Sequence, residues 1–351
     1  MDNKAVMARD CLIDNYKPKL SFNNKRNYNK WKEEIREKFL EVTGLNDIAL
    51  NACEPSLEIE SETQKDGYKE IKFSFYSEIG AVVPCYLLIP DDGKKKYPVV
   101  ITLQGHSTGY HNSVGIKKYE SDDHYQPRGE FAVQSVKEGY ATLAIEQRAM
   151  GMSGGLTTTR RDVRFYNGDS DDFVGNCYYG AMTGFMLGRS LIGERCWDVS
   201  RAIDVLSNFP ECDLDKIAIT GNSGGGTATY YAACYDERIK ICMPSSAFCP
   251  YRESILRFFH CACNYIPNAY KYFDMQDLSC LIAPRKLIIV NGQTDTGFLV
   301  EGARRGFETV KAVYKKENKE EQCKLIITPK GHWWCVDIIW PEMKKAFESI
   351  K

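Results

Sequence analysis

A Gly-x-Ser-x-Gly pattern is the part of this sequence whose residue types and spacing could do chemistry. Gly221, Ser223 and Gly225 follow a β-branched run (217–220) and precede an apolar stretch (227–234) that is typical of a buried helix. A serine at a sharp strand-to-helix turn needs neighbours without side chains, because the turn demands strained backbone angles. The amides at the start of the helix face the place where negative charge develops in acyl transfer. The pattern therefore predicts Ser223 as a nucleophile; the alternative is a glycine-rich turn with an incidental serine.

A serine nucleophile needs a base that takes its proton and a third group that orients the base. The chain has five histidines. His332 follows a predicted strand (324–328) and precedes the last predicted helix (341–350). Sites of parallel sheets assemble in loops at the carboxyl ends of the strands. We therefore predict His332 as the base, and the alternative is a histidine of a surface loop.

Asp295 is the predicted acid of this set. It ends a glycine-containing turn (291–295) after the predicted strand 286–290, where a carboxylate can reach the imidazole N–H. Serine, acid and histidine follow one another along the chain in the order that is usual for triads whose serine lies on a strand-to-helix turn of this type. Glu301 is the nearest substitute, whereas Asp198 precedes the nucleophile and fits less well. A turn or helix-cap residue is the alternative for Asp295.

Two backbone amides should stabilise the oxyanion. Gly224, the residue after the nucleophile, is expected to supply one. The other should come from the loop after the apolar strand 98–103, where Gly105 lets the backbone approach the substrate. The amide of His106 or of Ser107 is the expected donor.

No metal and no cofactor are expected from the sequence. A ligand set of His106 with His111 and Asp122 fits no helical ligand spacing. Cys261 and Cys263 form the only close cysteine pair, and they lack a second pair or histidines at ligand spacing. We therefore expect a metal-independent enzyme.

Composition narrows the function classes. The 351 residues include 46 basic and 47 acidic side chains without a long basic block, which argues against a nucleic-acid partner. No window approaches the length of an apolar membrane span, so we expect no membrane association. The N-terminus has no apolar segment typical of a signal peptide, and several of the fourteen cysteines lie in apolar runs. These features favour reduced thiols in the cytoplasm. The oligomeric state stays open, with a homo-oligomer among the possibilities.

Strand and helix signals alternate along most of the chain. This alternation predicts an α/β fold with a mostly parallel sheet and helices on both faces. Residues 1–60, with an amphipathic helix at 27–45, are expected to form a helical extension packed on a catalytic domain of residues 61–351. Two long aromatic-rich connections, 150–193 and 245–283, are either functional loops or a subsidiary core.

The motifs together resemble α/β-hydrolase esterases over roughly residues 65–350. The most similar group is that of acetyl xylan esterases and cephalosporin C deacetylases, with related dienelactone-hydrolase-like proteins. The resemblance rests on residues 81–90, 104–106, 146–151, 221–225, 284–285, 291–295 and 331–332. It implies that Ser223, Asp295 and His332 form a catalytic triad and that the amides of His106 and Gly224 form the oxyanion hole.

The chain also departs from this group. It has Glu146-Gln147-Arg148-Ala149 where the group has Asp-x-Arg-Gly, and Gln104-Gly105-His106 where the group has His-Gly-Tyr. Residues 197–204 are also similar to glucuronoyl esterases. The resemblance implies a serine ester hydrolase that removes short acyl groups from a carbohydrate or other small molecule. A general carboxylesterase, a peptidase of the same fold and a catalytically silent binding protein are the alternatives.

Overall fold

A nine-stranded sheet organises the computed structural model, which describes residues 4–106, 109–118, 120–151 and 177–350. The strand order is β1-β2-β3-β5-β4-β6-β7-β8-β9. Strands β1, β2, β3 and β5 pair antiparallel, and every pair from β5 to β9 is parallel. The strands are β1 Glu58–Lys65, β2 Tyr68–Glu78, β3 Ala81–Pro90, β4 Tyr97–Leu103, β5 Ala141–Ile145, β6 Cys212–Asn222, β7 Ile239–Ser245, β8 Lys286–Gly292 and β9 Cys323–Thr328.

The helices are numbered along the described residues. They are α1 Lys4–Asn15, α2 Tyr28–Thr43, α3 Leu45–Leu50, α4 Tyr110–Ser113, α5 Phe131–Lys137, α6 Cys177–Met186, α7 Leu191–Val205, α8 Gly224–Tyr235, α9 Ala269–Tyr272, α10 Val300–Lys316 and α11 Val336–Ser349. Short 3₁₀ helices lie between them, including Ala262–Asn264 and Met275–Leu281. In the described part of the chain, no helix combines the length and the apolar character that crossing a membrane requires.

The core lies on both faces of the sheet because the central strands carry apolar side chains at consecutive positions. In β4, Val99 and Ile101 belong to the hydrophobic cluster that also contains α2, α8 and α10. The intervening Val100 packs into a second cluster together with α5 and α11. Side chains of a strand alternate between faces, so a run of β-branched residues needs helices on both sides. The predicted fold class is therefore confirmed.

Helix α2 packs against the main body through one apolar stripe. Trp31, Ile35 and Phe39 recur at helical spacing and are buried in the cluster that also contains Tyr231. The side chain of Asn27 caps the first turn by accepting a hydrogen bond from a backbone amide. The N-terminal segment thus shares its core with the sheet, and the first strand, β1, already begins at Glu58 within the predicted extension.

The last helix begins earlier than the sequence predicts. The sequence predicts a helix from Pro341 to Ile350. In the structure α11 starts at Val336, and Pro341 lies inside it. Ile339 and Trp340 are buried against the sheet, and this packing outweighs the hydrogen bond that proline cannot make.

Candidate active site

Ser223 lies between the end of β6 and the start of α8 with φ 58° and ψ −123°. A positive φ is strained for a residue with a side chain, and such residues concentrate at functional sites. The backbone N–H of Ser223 donates to the carbonyl of Ser245 at 2.9 Å, which holds the turn. A Cβ on Gly221 or Gly225 would lie 2.5 or 2.0 Å from the carbonyl oxygen of Leu103. Glycine is therefore required where the helix approaches β4.

Asp295 and His332 are hydrogen-bonded to each other at the ends of the neighbouring strands β8 and β9. Oδ2 of Asp295 lies 2.8 Å from Nδ1 of His332. The other carboxylate oxygen accepts from the amides of Gly297 and Phe298, at 2.9 and 3.0 Å. The Asp295 side chain is fully buried, whereas His332 is 41% exposed. The ring of Phe298 stacks on the imidazole with 6.1 Å between centroids.

The protonation of this pair follows from its contacts. Burial raises the pKa of Asp295, but the hydrogen bond and charge of His332 and the amides of Phe298 and Gly297 outweigh burial and lower it. The carboxylate is therefore ionised and accepts the Nδ1–H of His332. Nε2 of the imidazole is then the nitrogen that can take a proton.

Ser223, His332 and Asp295 line one cavity of about 960 Å³. Both long connections contribute to its walls. Side chains from α6 and from the segment before α9 line it, namely Cys177, Tyr178, Met182, Phe185, Phe259, His260, Cys261, Ala262, Asn264 and Tyr265. The part of the first connection at 152–176 lies outside the described residues. The described parts of both connections thus border the candidate nucleophile.

A second cavity of about 340 Å³ adjoins the first at Ser223 and His332. Its wall includes Arg128, whose guanidinium carbon lies 3.5 Å from the ring centroid of Trp333. Partial burial lowers the pKa of Arg128. The serine therefore lies between a large apolar cavity and a smaller one that carries a cation.

The predicted oxyanion residues flank Ser223. His106 and Gly224 both line the large cavity, and a Cβ on Gly224 would lie 2.5 Å from Cε1 of His106. Within the described residues the amide of His106 has no backbone hydrogen-bond partner. Ser107, the alternative donor, lies outside the described residues. The arrangement is compatible with amides of His106 and Gly224 facing a reacting carbonyl, a role that stays a prediction.

The competing carboxylates lie elsewhere. The Glu301 side chain is 66% exposed and lies 3.8 Å from Arg304. Asp198 is buried and binds Arg148 at 2.7 and 2.8 Å. His111 is paired with Asp122 at 3.0 Å, so neither joins His106 in a ligand set.

Two features of the site were missed by sequence reasoning. His260 lines the cavity, and its buried Nε2 has no hydrogen-bond partner among the described residues. Cys261 and Cys263 are joined in space by Cys177 and His106, which corrects the expectation that the pair lacks partners. Hydrogen bonds from Cys177 and Cys261 lower the pKa of Cys263 well below its usual value. No local pattern signals this cluster, because its members come from three distant segments.

The sheet order, the strained serine turn and the hydrogen-bonded Asp-His pair define the α/β-hydrolase class of protein. Sequence comparison agrees: the profile of the Abhydrolase family matches residues 4–183, just over half of the chain, and the protein belongs to this family. The predicted α/β-hydrolase fold is thereby confirmed. A second profile, described as glucuronyl esterase of fungi, matches residues 187–249.

Individual relatives are distant in sequence and close in fold. YtaP of Bacillus subtilis (strain 168), assigned as a hydrolase, is 22% identical over 257 residues, which are 71% of this chain and 78% of YtaP. A Bacteroides fragilis NCTC 9343 protein assigned as an acetyl xylan esterase superposes with a TM-score of 0.78 at 18% identity, covering 98% of this chain and 95% of that one. A glucuronoyl esterase from Solibacter usitatus superposes with a TM-score of 0.67 at 14% identity, with coverages of 95% and 97%.

Proposed function

We propose that this protein is a serine carboxylic ester hydrolase that removes short acyl groups, acetyl above all, from a carbohydrate or another small-molecule ester. The observation that carries the proposal is the Asp295–His332 hydrogen bond beside a serine held at φ 58° in the same cavity. The family, the fold and the names of the structural neighbours support an ester-hydrolysing enzyme of the α/β-hydrolase type.

The chemistry follows from the positions of these groups. Nε2 of His332 takes the hydroxyl proton as Oγ of Ser223 forms a bond to the ester carbonyl carbon. Asp295 holds the imidazole and stabilises its positive charge. The amides of His106 and Gly224 donate to the oxyanion. The alcohol leaves with the proton from His332, and a water molecule activated by the same nitrogen then releases the acid and restores Ser223.

The cavity walls support a carbohydrate or similar substrate. Aromatic side chains of α6 and of residues 259–265 offer faces on which sugar rings stack. Polar groups of the second cavity, Arg128 among them, can fix hydroxyl groups by hydrogen bonds. Two of the structural neighbours are named as an acetyl xylan esterase and a glucuronoyl esterase, which agrees with a carbohydrate ester as the substrate.

A second candidate is cleavage of an ester in which the sugar itself supplies the carboxyl group. The match of the glucuronyl esterase profile to residues 187–249 favours it. A panel that sets acetylated sugars beside methyl glucuronate separates the two, because the sugar is the alcohol in one case and the acid in the other.

The first prediction tests the nucleophile. Ser223→Ala should lose turnover of p-nitrophenyl acetate on the order of a thousandfold or more while the fold is retained, because no hydroxyl remains to form the acyl-enzyme. Intact-mass spectrometry after treatment with a fluorophosphonate should show one adduct on the wild-type protein. Mass spectrometry of its peptides should place this adduct on the peptide that contains Ser223.

Ser207→Ala is the matched control for this experiment. Ser207 is exposed, and its hydroxyl donates to the backbone carbonyl of Asp204 at 2.7 Å rather than to any group that lines the cavities. This variant should keep both activity and labelling. A wild-type protein that neither labels nor cleaves any ester of the panel would favour a catalytically silent binding protein.

We further infer a cytoplasmic location and no nucleic-acid partner. Nine of the fourteen cysteines are buried, where a thiol behaves as a small hydrophobic side chain, which supports a reducing compartment. The balance of 46 basic and 47 acidic residues supports a small-molecule substrate over a polyanion.

A further inference from the structure

Four potential metal ligands meet beside the candidate active site. They are Nε2 or Nδ1 of His106 and the sulfur atoms of Cys177, Cys261 and Cys263, and the four ligand atoms all lie within 4.8 Å of one another. His106 follows β4, Cys177 begins α6, and the other two cysteines flank Ala262 in the second long connection. Three segments that are distant in sequence thus present one imidazole and three thiols to a single point.

A buried cation lies next to this cluster. Arg195 of α7 is 1% exposed, and its Nη2 lies 3.3 Å from the sulfur of Cys177. Its other hydrogen bonds go to the backbone carbonyl of Arg148, and its buried Nη1 has no hydrogen-bond partner among the described residues. Within that part of the chain no carboxylate pairs with Arg195. A buried arginine without a carboxylate needs negative charge nearby, and the cysteine cluster is the group it contacts.

We propose that His106, Cys177, Cys261 and Cys263 bind a Zn²⁺ ion in a tetrahedral site. Thiolate and imidazole ligands select zinc among the common divalent cations, and one histidine with three cysteines is a known structural set. With Zn–S bonds of about 2.3 Å, tetrahedral ligands lie about 3.8 Å apart. The widest separations, up to 4.8 Å, therefore need to contract by only about 1 Å. Nε2 of His106, which lies 2.9 Å from the sulfur of Cys263, needs to move away from it by less than about 1 Å.

The charges balance when the ion binds. The three thiols each release a proton to solvent, and the imidazole binds through the lone pair of its unprotonated nitrogen. Three thiolates and one Zn²⁺ leave one net negative charge, which the guanidinium of Arg195 compensates. A disulfide between two of the cysteines would carry no charge, so Arg195 would lack a negative partner and His106 would lack a metal to bind. The arrangement therefore favours the metal over a disulfide.

The proposed ion has a structural task beside the ester site. The protein fills all four coordination positions, which is typical of structural zinc and leaves no position for substrate. The ion would tie α6 and the segment around Ala262 to the loop that follows β4. The ring of His106 packs directly on Gly224, so the site would also hold the loop that carries a proposed oxyanion amide. His106 is then a positioning residue through its side chain.

The test measures metal content first, which does not depend on esterase activity. Protein purified under reducing conditions without chelator should contain about one zinc per chain by plasma mass spectrometry. Exchange for Co²⁺ should produce the visible d–d and near-ultraviolet thiolate bands of tetrahedral cobalt. Cys261→Ser and His106→Gln should lose the metal and the bands.

Cys323→Ser is the matched control, because Cys323 is a partly exposed cysteine like Cys261 and lies on β9 away from the cluster. It should keep full metal content.

If the variants fold poorly, removal of zinc from the wild type by a chelator should lower its Tm, and added Zn²⁺ should restore it. Wild-type protein that binds neither Zn²⁺ nor Co²⁺ would overturn the proposal. A disulfide between two of the three cysteines in protein isolated under the same reducing conditions would overturn it as well. Ser223→Ala should retain the metal, so failure of the esterase assignment is distinguishable from failure of the zinc site.

Discussion

Asp295 is the carboxylate of the described chain that contacts His332. It is fixed from both sides, since one oxygen binds the imidazole and the other accepts two backbone amides. Its lowered pKa keeps it ionised well into mildly acidic conditions. A carboxylate held in this way orients the base and stabilises the imidazolium that forms when Ser223 reacts.

We expect Asp295→Asn to lower kcat on the order of ten-thousandfold on p-nitrophenyl acetate, because the amide favours the wrong imidazole tautomer. Glu301→Gln, the matched control, should change kcat little because Glu301 is exposed and lies next to Arg304. Steady-state kinetics gives kcat for both variants, and circular dichroism checks that both are folded. The reverse ranking of the two variants would show that the acid is not Asp295.

At the scale of elements, the walls of the cavity come from two long connections rather than from the sheet. Helix α6 contributes Phe185, and the segment before α9 contributes Tyr265. Rigid strands hold the reacting groups, whereas loops and short helices shape what binds to them. Substrate choice is therefore expected to depend on these aromatic side chains.

Acetyl esters should be cleaved faster than octanoyl esters by at least about tenfold in kcat/KM, which is roughly 1.4 kcal/mol in transition-state binding. The reason is that aromatic walls limit the length of the acyl chain. Phe185→Ala should reduce this ratio by opening the wall, and Phe258→Ala, which lies outside the cavity lining, should leave it unchanged.

Chain-length series of p-nitrophenyl esters measure this ratio. Wild-type protein that cleaves octanoyl esters as fast as acetyl esters would favour a general carboxylesterase. In that case the cavity of about 960 Å³ would accept long acyl chains without steric conflict with its aromatic walls.

At the scale of the whole molecule, a buried carboxylate joins the N-terminal segment to the body. Asp277 accepts the backbone amide of Phe22 at 2.9 Å and that of Asp274 at 2.8 Å. Burial raises the pKa of Asp277 from 3.8 to about 7, although these amides oppose the shift. Burial likewise raises the pKa of Asp274 to about 6.

The sign of the resulting pH dependence follows from proton binding. Between about pH 4 and pH 7 the folded protein binds more protons at these carboxyls than the unfolded chain does. The free energy of unfolding contributed by them therefore falls as pH rises through this window. This contribution is fully present below the ordinary pKa and is lost above the raised one.

We expect the urea midpoint of unfolding to fall less steeply with rising pH in Asp277→Asn than in the wild type. The midpoints are compared at pH 5 and pH 8, which lie about a unit above the ordinary and the raised pKa respectively. Asp215→Asn, at an exposed aspartate, is the control and should follow the wild-type slope. Parallel curves for all three proteins would show that Asp277 does not titrate in this window.

Much of the fold could be predicted because its signals are local. The apolar strand that became β4, the stripe of α2 and the glycine turn around Ser223 each follow from residues within one or two turns or strands of the chain. The placement of Asp295 and His332 near one another followed from a single rule of parallel sheets, whose strands end at a common edge. Their roles in catalysis stay predictions until the variants are measured.

The start of α11 and the cysteine cluster could not be predicted in this way. Burial of Ile339 and Trp340 against the sheet extends the helix past a proline, which no local pattern reveals.

The sequence by itself thus determined the layered sheet, the serine turn and the order of the candidate triad, because backbone preferences and strand burial act over short distances. Tertiary structure alone decided that His106 and Cys177 join Cys261 and Cys263, that Asp198 is taken by Arg148, and that both connections wall the cavity. Contacts between distant segments form only when the whole core packs, and one residue's sequence neighbours carry no record of them.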